Sequence, residues 1–301
     1  REIPKDKSVN ILLTGADGQV GRELAARLRH RANLLAANRA TLDITDRNAV
    51  FQAASSFRPE LIINAAAYTA VDKAESDADT AYAVNRDAVR HLAEAAAAHG
   101  AAVLHISTDY VFDGAADAPY RETDPVNPQS VYGKSKLAGE EALAAACPRH
   151  IILRTAWVFG AHGGNFVKTM LRLGRERDSL GIVADQYGAP TPAAAIADAL
   201  VAIADAVHQP GFANWGIYHY SGSPYTSWHG FAERIFQAAA AQGILPAVPQ
   251  LNAIATADYP TPARRPANSR LDCGKIQNTF GIKPADWQAA LADLKPYQTS
   301  I

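Results

Sequence analysis

The chain has 301 residues, a length that fits two domains or one large one with a substantial core. Its 48% hydrophobic and 20% charged residues exclude a disordered polymer. With 29 Lys and Arg against 30 Asp and Glu, the net charge of −1 supplies no field for nucleic acid or a membrane surface, so neither is expected as a partner.

The stretch Arg1 to Ser8 lacks the apolar core of a secretory signal, and a cytoplasmic protein is expected. From residue 9, short apolar runs alternate with longer Ala-rich amphipathic stretches, the pattern of βα units around a parallel sheet. Val9 to Thr14, Leu34 to Ala37, Leu61 to Asn64, Val103 to Ser107 and Ile151 to Thr155 predict buried strands, because a sheet covered on both faces is continuously apolar. Gln19 to His30, Arg47 to Phe57, Ala74 to Ala98 and Val131 to Ala146 predict helices, the last two followed by the stop signals Gly100 and Pro148. Beyond residue 160, helices are expected near Asn165 to Arg175, Ala193 to Val207, Ser227 to Ala241 and Asp286 to Leu294. The fold class is therefore α/β, a Rossmann-type doubly wound parallel sheet with a smaller C-terminal substrate domain. The dinucleotide-binding domain is expected over residues 9–160, with 193–220 returning to it, and the substrate domain over 161–192 and 221–301.

The window Thr191 to Val207 is the most apolar, but Asp198 and Asp205 interrupt it and it falls short of the ~20 residues a membrane span needs. Cys147 and Cys273 lie far apart without a CxxC pattern and read as reduced structural thiols.

Three features carry chemistry. The first strand runs into Gly15-Ala16-Asp17-Gly18-Gln19-Val20-Gly21, a GxxGxxG between strand and helix. There the glycines allow a tight turn and close backbone approach to a pyrophosphate, while the helix N-terminus favours negative charge. The second strand ends at Asn38-Arg39 without the acid that usually meets the NAD ribose, so Arg39 can pair with a 2′-phosphate. NADPH is expected over NADH, with Asp43 and Ile44 lining the adenine pocket and Ala65, Ala66, Ala67, Tyr68 and Thr69 lying flat beneath the cofactor.

Tyr132 and Lys136 form a YxxxK pair whose i, i+4 spacing places both side chains on one helix face. A neighbouring ammonium and an oxidised nicotinamide both favour the tyrosine phenolate, so Tyr132 can shuttle a proton while Lys136 also holds the nicotinamide ribose. The fourth strand ends in Ser107-Thr108-Asp109, where the Thr108 hydroxyl can stabilise an alkoxide-like carbonyl oxygen.

In this order the glycine turn, the strand-end hydroxyl and YxxxK resemble the short-chain dehydrogenase/reductase superfamily. Within it, from about residue 9 to residue 288, the chain resembles the dTDP-4-dehydrorhamnose reductase family. Asn10 to Gly21, the block Asn64 to Glu75, Ser107 to Phe112, Tyr132 to Glu140, the run Arg154-Thr155-Ala156-Trp157-Val158, Asp185 to Thr191 and Tyr259 to Arg270 carry that resemblance.

The resemblance implies a nucleotide-sugar substrate reduced at C4, with Thr108, Tyr132 and Lys136 as the catalytic set. It also implies Asp109 contacting the sugar and Trp157 covering the apolar face of the sugar ring. Arg264 and Arg265 are candidate ligands of the substrate diphosphate, since guanidinium forks suit phosphate oxygens. Some members form magnesium-linked dimers through acidic side chains. Here Glu23 fits that pattern but Ala194 and Leu294 to Tyr297 supply no further acid, so no required metal is expected. A monomer or homodimer is left open. Two other readings are another nucleotide-sugar 4-ketoreductase or epimerase, and a regulatory subunit like that of methionine adenosyltransferase. The intact Thr108, Tyr132 and Lys136 argue against the latter.

Overall fold

Six parallel strands make the central sheet of the computed structural model, which describes residues 9–298. The Arg1 to Ser8 segment and the last three residues of the expected 221–301 region lie outside the described residues. In chain order the first half comprises β1 (Asn10–Thr14), α1 (Gln19–Leu28), β2 (Asn33–Ala37), α2 (Arg47–Phe57), β3 (Leu61–Asn64), α3 (Ala88–His99), β4 (Ala102–Thr108), α4 (Val131–Ala146) and β5 (His150–Thr155). The second half comprises α5 (Phe166–Glu176), β6 (Ser179–Val183), α6 (Ala193–Val207), β7 (Gly216–His219), α7 (Trp228–Ala241), β8 (Gln250–Ile254) and α8 (Gly274–Phe280). The sheet order is β7-β5-β4-β3-β1-β2, so the five expected strands pair and β7 returns to pair with β5.

Alternate residues of each strand point to opposite faces, and both faces are covered. Ile11, Leu13, Leu61 and Leu104 pack with α1 and α6 on one side. Leu12, Ile62, Val103 and Ile152 pack with α2, α3 and α4 on the other. This double cover explains why the strands read as continuous apolar runs. Side chains fix the helix starts. Asp46 accepts from the Asn48 and Ala49 amides at α2, and Ser130 accepts from the Gly133 amide at α4. A separate apolar cluster, with Phe159, Met170, Phe231, Phe236 and Trp287, lies between α5 and α7 and beside the parallel pair β6–β8.

Three expectations change. The single helix over Ala74 to Ala98 is instead a turn at Val71–Ala74, a short helix Ala78–Tyr82, a π turn at Ala83–Asp87 and then α3. The break falls at Asp77, whose φ of −134° is not helical and whose carboxylate accepts from the Tyr68 hydroxyl. Asp286 to Leu294 forms only a 3₁₀ turn at Ala289–Leu291, after which the Leu291 carbonyl and the Leu294 amide bond to the Gln242 side chain instead of to a continuing helix. The pair β6–β8 and helix α8 have no counterpart in the sequence reading.

Helix α4 is fastened to β5 by a buried ion pair. Arg154 donates through Nε and Nη2 to the two Glu140 oxygens at 2.9 and 2.6 Å, and both side chains are about 97% hidden. Removing one partner strands the other charge in the core. Glu140→Ala is expected to cost about 3–5 kcal/mol in urea unfolding. The apolar double variant Glu140→Leu/Arg154→Met is expected to recover most of that loss.

Candidate active site

The strand order reverses at β1, with β2 on one side and β3 on the other, which leaves a crevice at the carboxyl ends of β1 and β3, the place where open α/β sheets take ligands. It is a cleft of about 890 Å³ lined by Gly15, Gly18, Asn38, Arg39, Asp43, Ile44, Ala65, Ala66, Ala67 and Tyr68, among others. The glycine turn fits close packing against this wall. Gly15 has φ +71°, and a Cβ on it would lie 2.5 Å from the Ala66 nitrogen. A Cβ on Gly21 would lie 2.0 Å from the Gly15 oxygen. The cradle and the cleft size suit a dinucleotide.

Several predicted cofactor residues stand elsewhere. Val20 is a core residue of α1, Gln19 accepts from Asn165 Nδ2 at 3.1 Å, and Thr69 is exposed beyond the lining. Asn38 is engaged in its own turn, its Oδ1 accepting from the Ala40 and Thr41 amides at 3.0 Å. Arg39 is a cation on that rim, and its charge helps hold the Asp43 carboxyl low, after the larger effect of hydrogen bonds from Thr45.

Thr108 and Asp109 sit where β4 ends, and Tyr132 and Lys136 on the first turns of α4; all four are at least 90% hidden. The Tyr132 ring packs edge-on to Tyr110, centroids 5.4 Å apart, and within the same cluster as Tyr68. Tyr68 lines the first cleft and Tyr110 a second one, so Tyr132 lies between the two.

The Thr108 hydroxyl donates to Asp109 Oδ1 at 3.0 Å, while Asp109 Oδ2 is buried with no hydrogen-bond partner. Burial pushes Asp109 up to about 6, against the opposing effect of the nearby Ser269 and Thr108 hydroxyls. Burial likewise pushes the Tyr132 phenol well above its ordinary value, opposed by Thr108 and assisted by Asp109 and Tyr110. Lys136 Nζ donates to the Ile106 carbonyl at 2.7 Å, and burial pushes its ammonium down to about 8 against the pull of Glu140. Tyr132 is held as a phenol, because burial opposes charge on both groups.

The second cavity, about 630 Å³, is lined mainly by residues beyond 156, joined by Asp72 and Tyr110. Trp157 lines it with φ +51° and stacks on Trp228, centroids 3.6 Å apart. Arg265 also lines it, donating to Asp72 Oδ2 at 2.6 Å and the Tyr110 hydroxyl at 3.0 Å. Arg264 is exposed outside the lining and donates to Gln129 at 3.3 Å. Asp72, Tyr110 and Trp228 were missed as site residues. Asp72 and Tyr110 lie within the segments Asn64 to Glu75 and Ser107 to Phe112 that carry the family resemblance, whereas nothing local marks Trp228.

The family description "RmlD substrate binding domain" matches residues 9–298. The dTDP-4-dehydrorhamnose reductase of Aggregatibacter actinomycetemcomitans is 53% identical over 289 residues, covering 95% of this chain and 98% of that one. The chain belongs to this reductase family. A solved dTDP-4-dehydrorhamnose reductase from Clostridium acetobutylicum superposes with a TM-score of 0.87 at 40% identity, covering 94% of this chain and 96% of that one. One from Bacillus anthracis, solved in complex with NADP, superposes at 0.86 and 35% identity, covering 94% and 97%.

In this family member, Glu23 is bound to Arg27, which also holds Asp198 at 2.6 Å on the α1–α6 face. Among the described residues no group of three His, Cys, Asp or Glu is placed to hold a metal ion, and no helix is long and apolar enough to cross a membrane.

The raised Asp109 carboxyl links stability to pH. Its folded value of about 6 exceeds the ordinary 3.8, so its stabilising contribution is full below about 3.8 and lost as pH rises through about 6. Asp109→Asn is therefore expected to gain stability over the parent at pH 8 by on the order of 2–3 kcal/mol relative to their difference at pH 3.5. Chemical unfolding of both proteins across that range checks it.

Proposed function

We propose that this chain reduces the C4 ketone of dTDP-4-dehydro-L-rhamnose to dTDP-L-rhamnose with NADPH. The observation that carries the reading is the placing of Tyr132, with Thr108 and Lys136 beside it, between a dinucleotide-sized cleft and a second cavity. Residues 9–160 with 193–220 form the cofactor side, and residues 161–192 with the region from 221 onward form the substrate side. A bound reduced nicotinamide supplies the hydride.

Tyr132, kept as a phenol by burial, gives its proton to the oxygen that becomes the C4 hydroxyl. The Thr108 hydroxyl turns from Asp109 toward the same oxygen and stabilises its developing charge. Asp109, with one oxygen unpartnered, is placed to accept from a sugar hydroxyl. The Trp157 face covers the ring, and Arg265 faces the diphosphate. Lys136 holds the nicotinamide ribose beside Tyr132. Arg39 meets the 2′-phosphate of NADPH at the rim of the first cleft.

NADPH oxidation with dTDP-4-dehydro-L-rhamnose tests the reading. Tyr132→Phe is expected to lower kcat by about 10²–10⁴ with NADPH binding retained. No turnover by the parent with this sugar, despite tight NADPH binding, would move the assignment to another sugar nucleotide or to a regulatory role. Arg39→Ala is expected to reduce the preference for NADPH over NADH by about tenfold, read as the ratio of the two kcat/KM values.

A further inference from the structure

A row of buried polar side chains crosses the sheet beneath the site. Thr14 of β1 is in register with Asn64 of β3, and Asn64 with His105 of β4. All three are at least 99% hidden. Thr14 Oγ1 donates to Asn64 Oδ1 at 2.7 Å, and Asn64 Nδ2 meets His105 Nδ1 at 3.0 Å. His105 Nε2 lies 3.4 Å from Lys136 Nζ. The row thus begins one residue before Gly15 and ends on the lysine of the YxxxK pair.

Proton positions along the row are determined by one backbone bond. The Ala66 amide, which can only donate, meets Asn64 Oδ1 at 3.1 Å, so that atom is the amide oxygen and Nδ2 is the donor toward His105. His105 Nδ1 must then accept, which leaves the neutral ring's proton on Nε2. A charged imidazole would place a second donor against Asn64, and burial independently pushes His105 well below its ordinary value. The Nε2 proton faces Lys136. An ammonium has no lone pair to receive it, whereas an uncharged amine accepts from His105 and still donates to the Ile106 carbonyl.

We infer that His105 is a positioning residue whose tautomer, fixed by Asn64, sets the charge of Lys136 by offering Nε2–H to the uncharged amine. This deepens the proposed reaction, since Lys136 is assigned there to the cofactor and to Tyr132. Lys136 then exchanges between ammonium and amine within the working pH range instead of remaining a permanent cation. The other groups bearing on it are Tyr132 and Glu140 of its own helix, Thr108 and Asp109 of the β4 end, and Arg154 of β5, locked to Glu140. His150 acts on the far side through His105, and the π turn contributes the neutral Asn85.

The test needs neither cofactor nor substrate, so it fails or succeeds independently of the reductase assay. In the intact protein with ¹⁵N-labelled histidine, His105 is expected to show a protonated Nε2 and a bare Nδ1. The opposite tautomer, or a charged ring, at pH 7 overturns the inference. With labelled lysine, the Lys136 signal, assigned by its loss in Lys136→Met, is followed against pH in the parent and in His105→Phe. Losing the opposing N–H is expected to move the Lys136 titration upward by about 0.5–1 pH unit. A downward shift would mean that His105 had been accepting from the ammonium, and an unchanged titration that it does not act on Lys136; either overturns the inference. If His105→Phe does not fold, the tautomer of the parent still decides.

Discussion

The close seat of α4 against the end of β4 and the π turn is the constraint on which the site depends. A Cβ at Gly133 would lie 2.3 Å from the Tyr110 oxygen, and one at Gly139 would lie 2.0 Å from the Asn85 oxygen. Glycine at both points lets the helix backbone touch its neighbours, which brings Tyr132 and Lys136 down to the level of Thr108 and Ile106. The π turn completes the seat. Asn85 Nδ2 donates to Ser135 Oγ on α4 and to the Tyr68 carbonyl, while its Oδ1 accepts from the Tyr68 amide. One side chain therefore holds both helix α4 and the wall of the first cleft, a use consistent with π turns occurring at functional sites.

Burying ionisable groups so deeply has one electrostatic consequence with three expressions. Desolvation opposes charge, so the tyrosine is pushed up, the lysine down and the aspartate up. For a reduction this is the useful direction at the tyrosine. A proton donor must begin protonated, and a phenolate would have nothing to give. The charges that remain are compensated locally, Arg154 by Glu140 and Arg265 by Asp72. Each pair joins separate elements, α4 to β5 in one case and the Asn64 to Glu75 block to the Tyr259 to Arg270 segment in the other.

The parallel strands and their helices were legible because each makes its pattern locally: apolar runs for strands buried on both faces, and side-chain caps such as Asp46 and Ser130 for helix starts. The glycine turn, Thr108 and YxxxK were legible for the same reason, since each is a short motif at a strand or helix end. What was not legible depends on contacts between distant parts of the chain. The break at Asp77 is tied to the Tyr68 hydroxyl, and the strand Gln250–Ile254 is a strand because it pairs with Ser179–Val183. His105 reads in sequence as one polar residue inside an apolar strand. Only the register of β1, β3 and β4 puts Thr14 and Asn64 in line with it.

Arg264 and Arg265 show how far neighbouring residues of one type can differ once the chain is folded. Spacing treats them alike as candidate phosphate ligands. In the structure Arg265 is three-quarters hidden, bound to Asp72 and Tyr110 and facing the cavity, while Arg264 is exposed against Gln129. A guanidinium held by a carboxylate on one edge has its orientation fixed before an anion arrives, which lowers the entropic cost of binding. The same carboxylate offsets part of its charge, so Arg265 is suited to directing a bound anion more than to attracting one from a distance. Because Tyr110 touches both Arg265 and Tyr132, the guanidinium proposed to meet the anionic end of the substrate is only one ring away from the proposed proton donor.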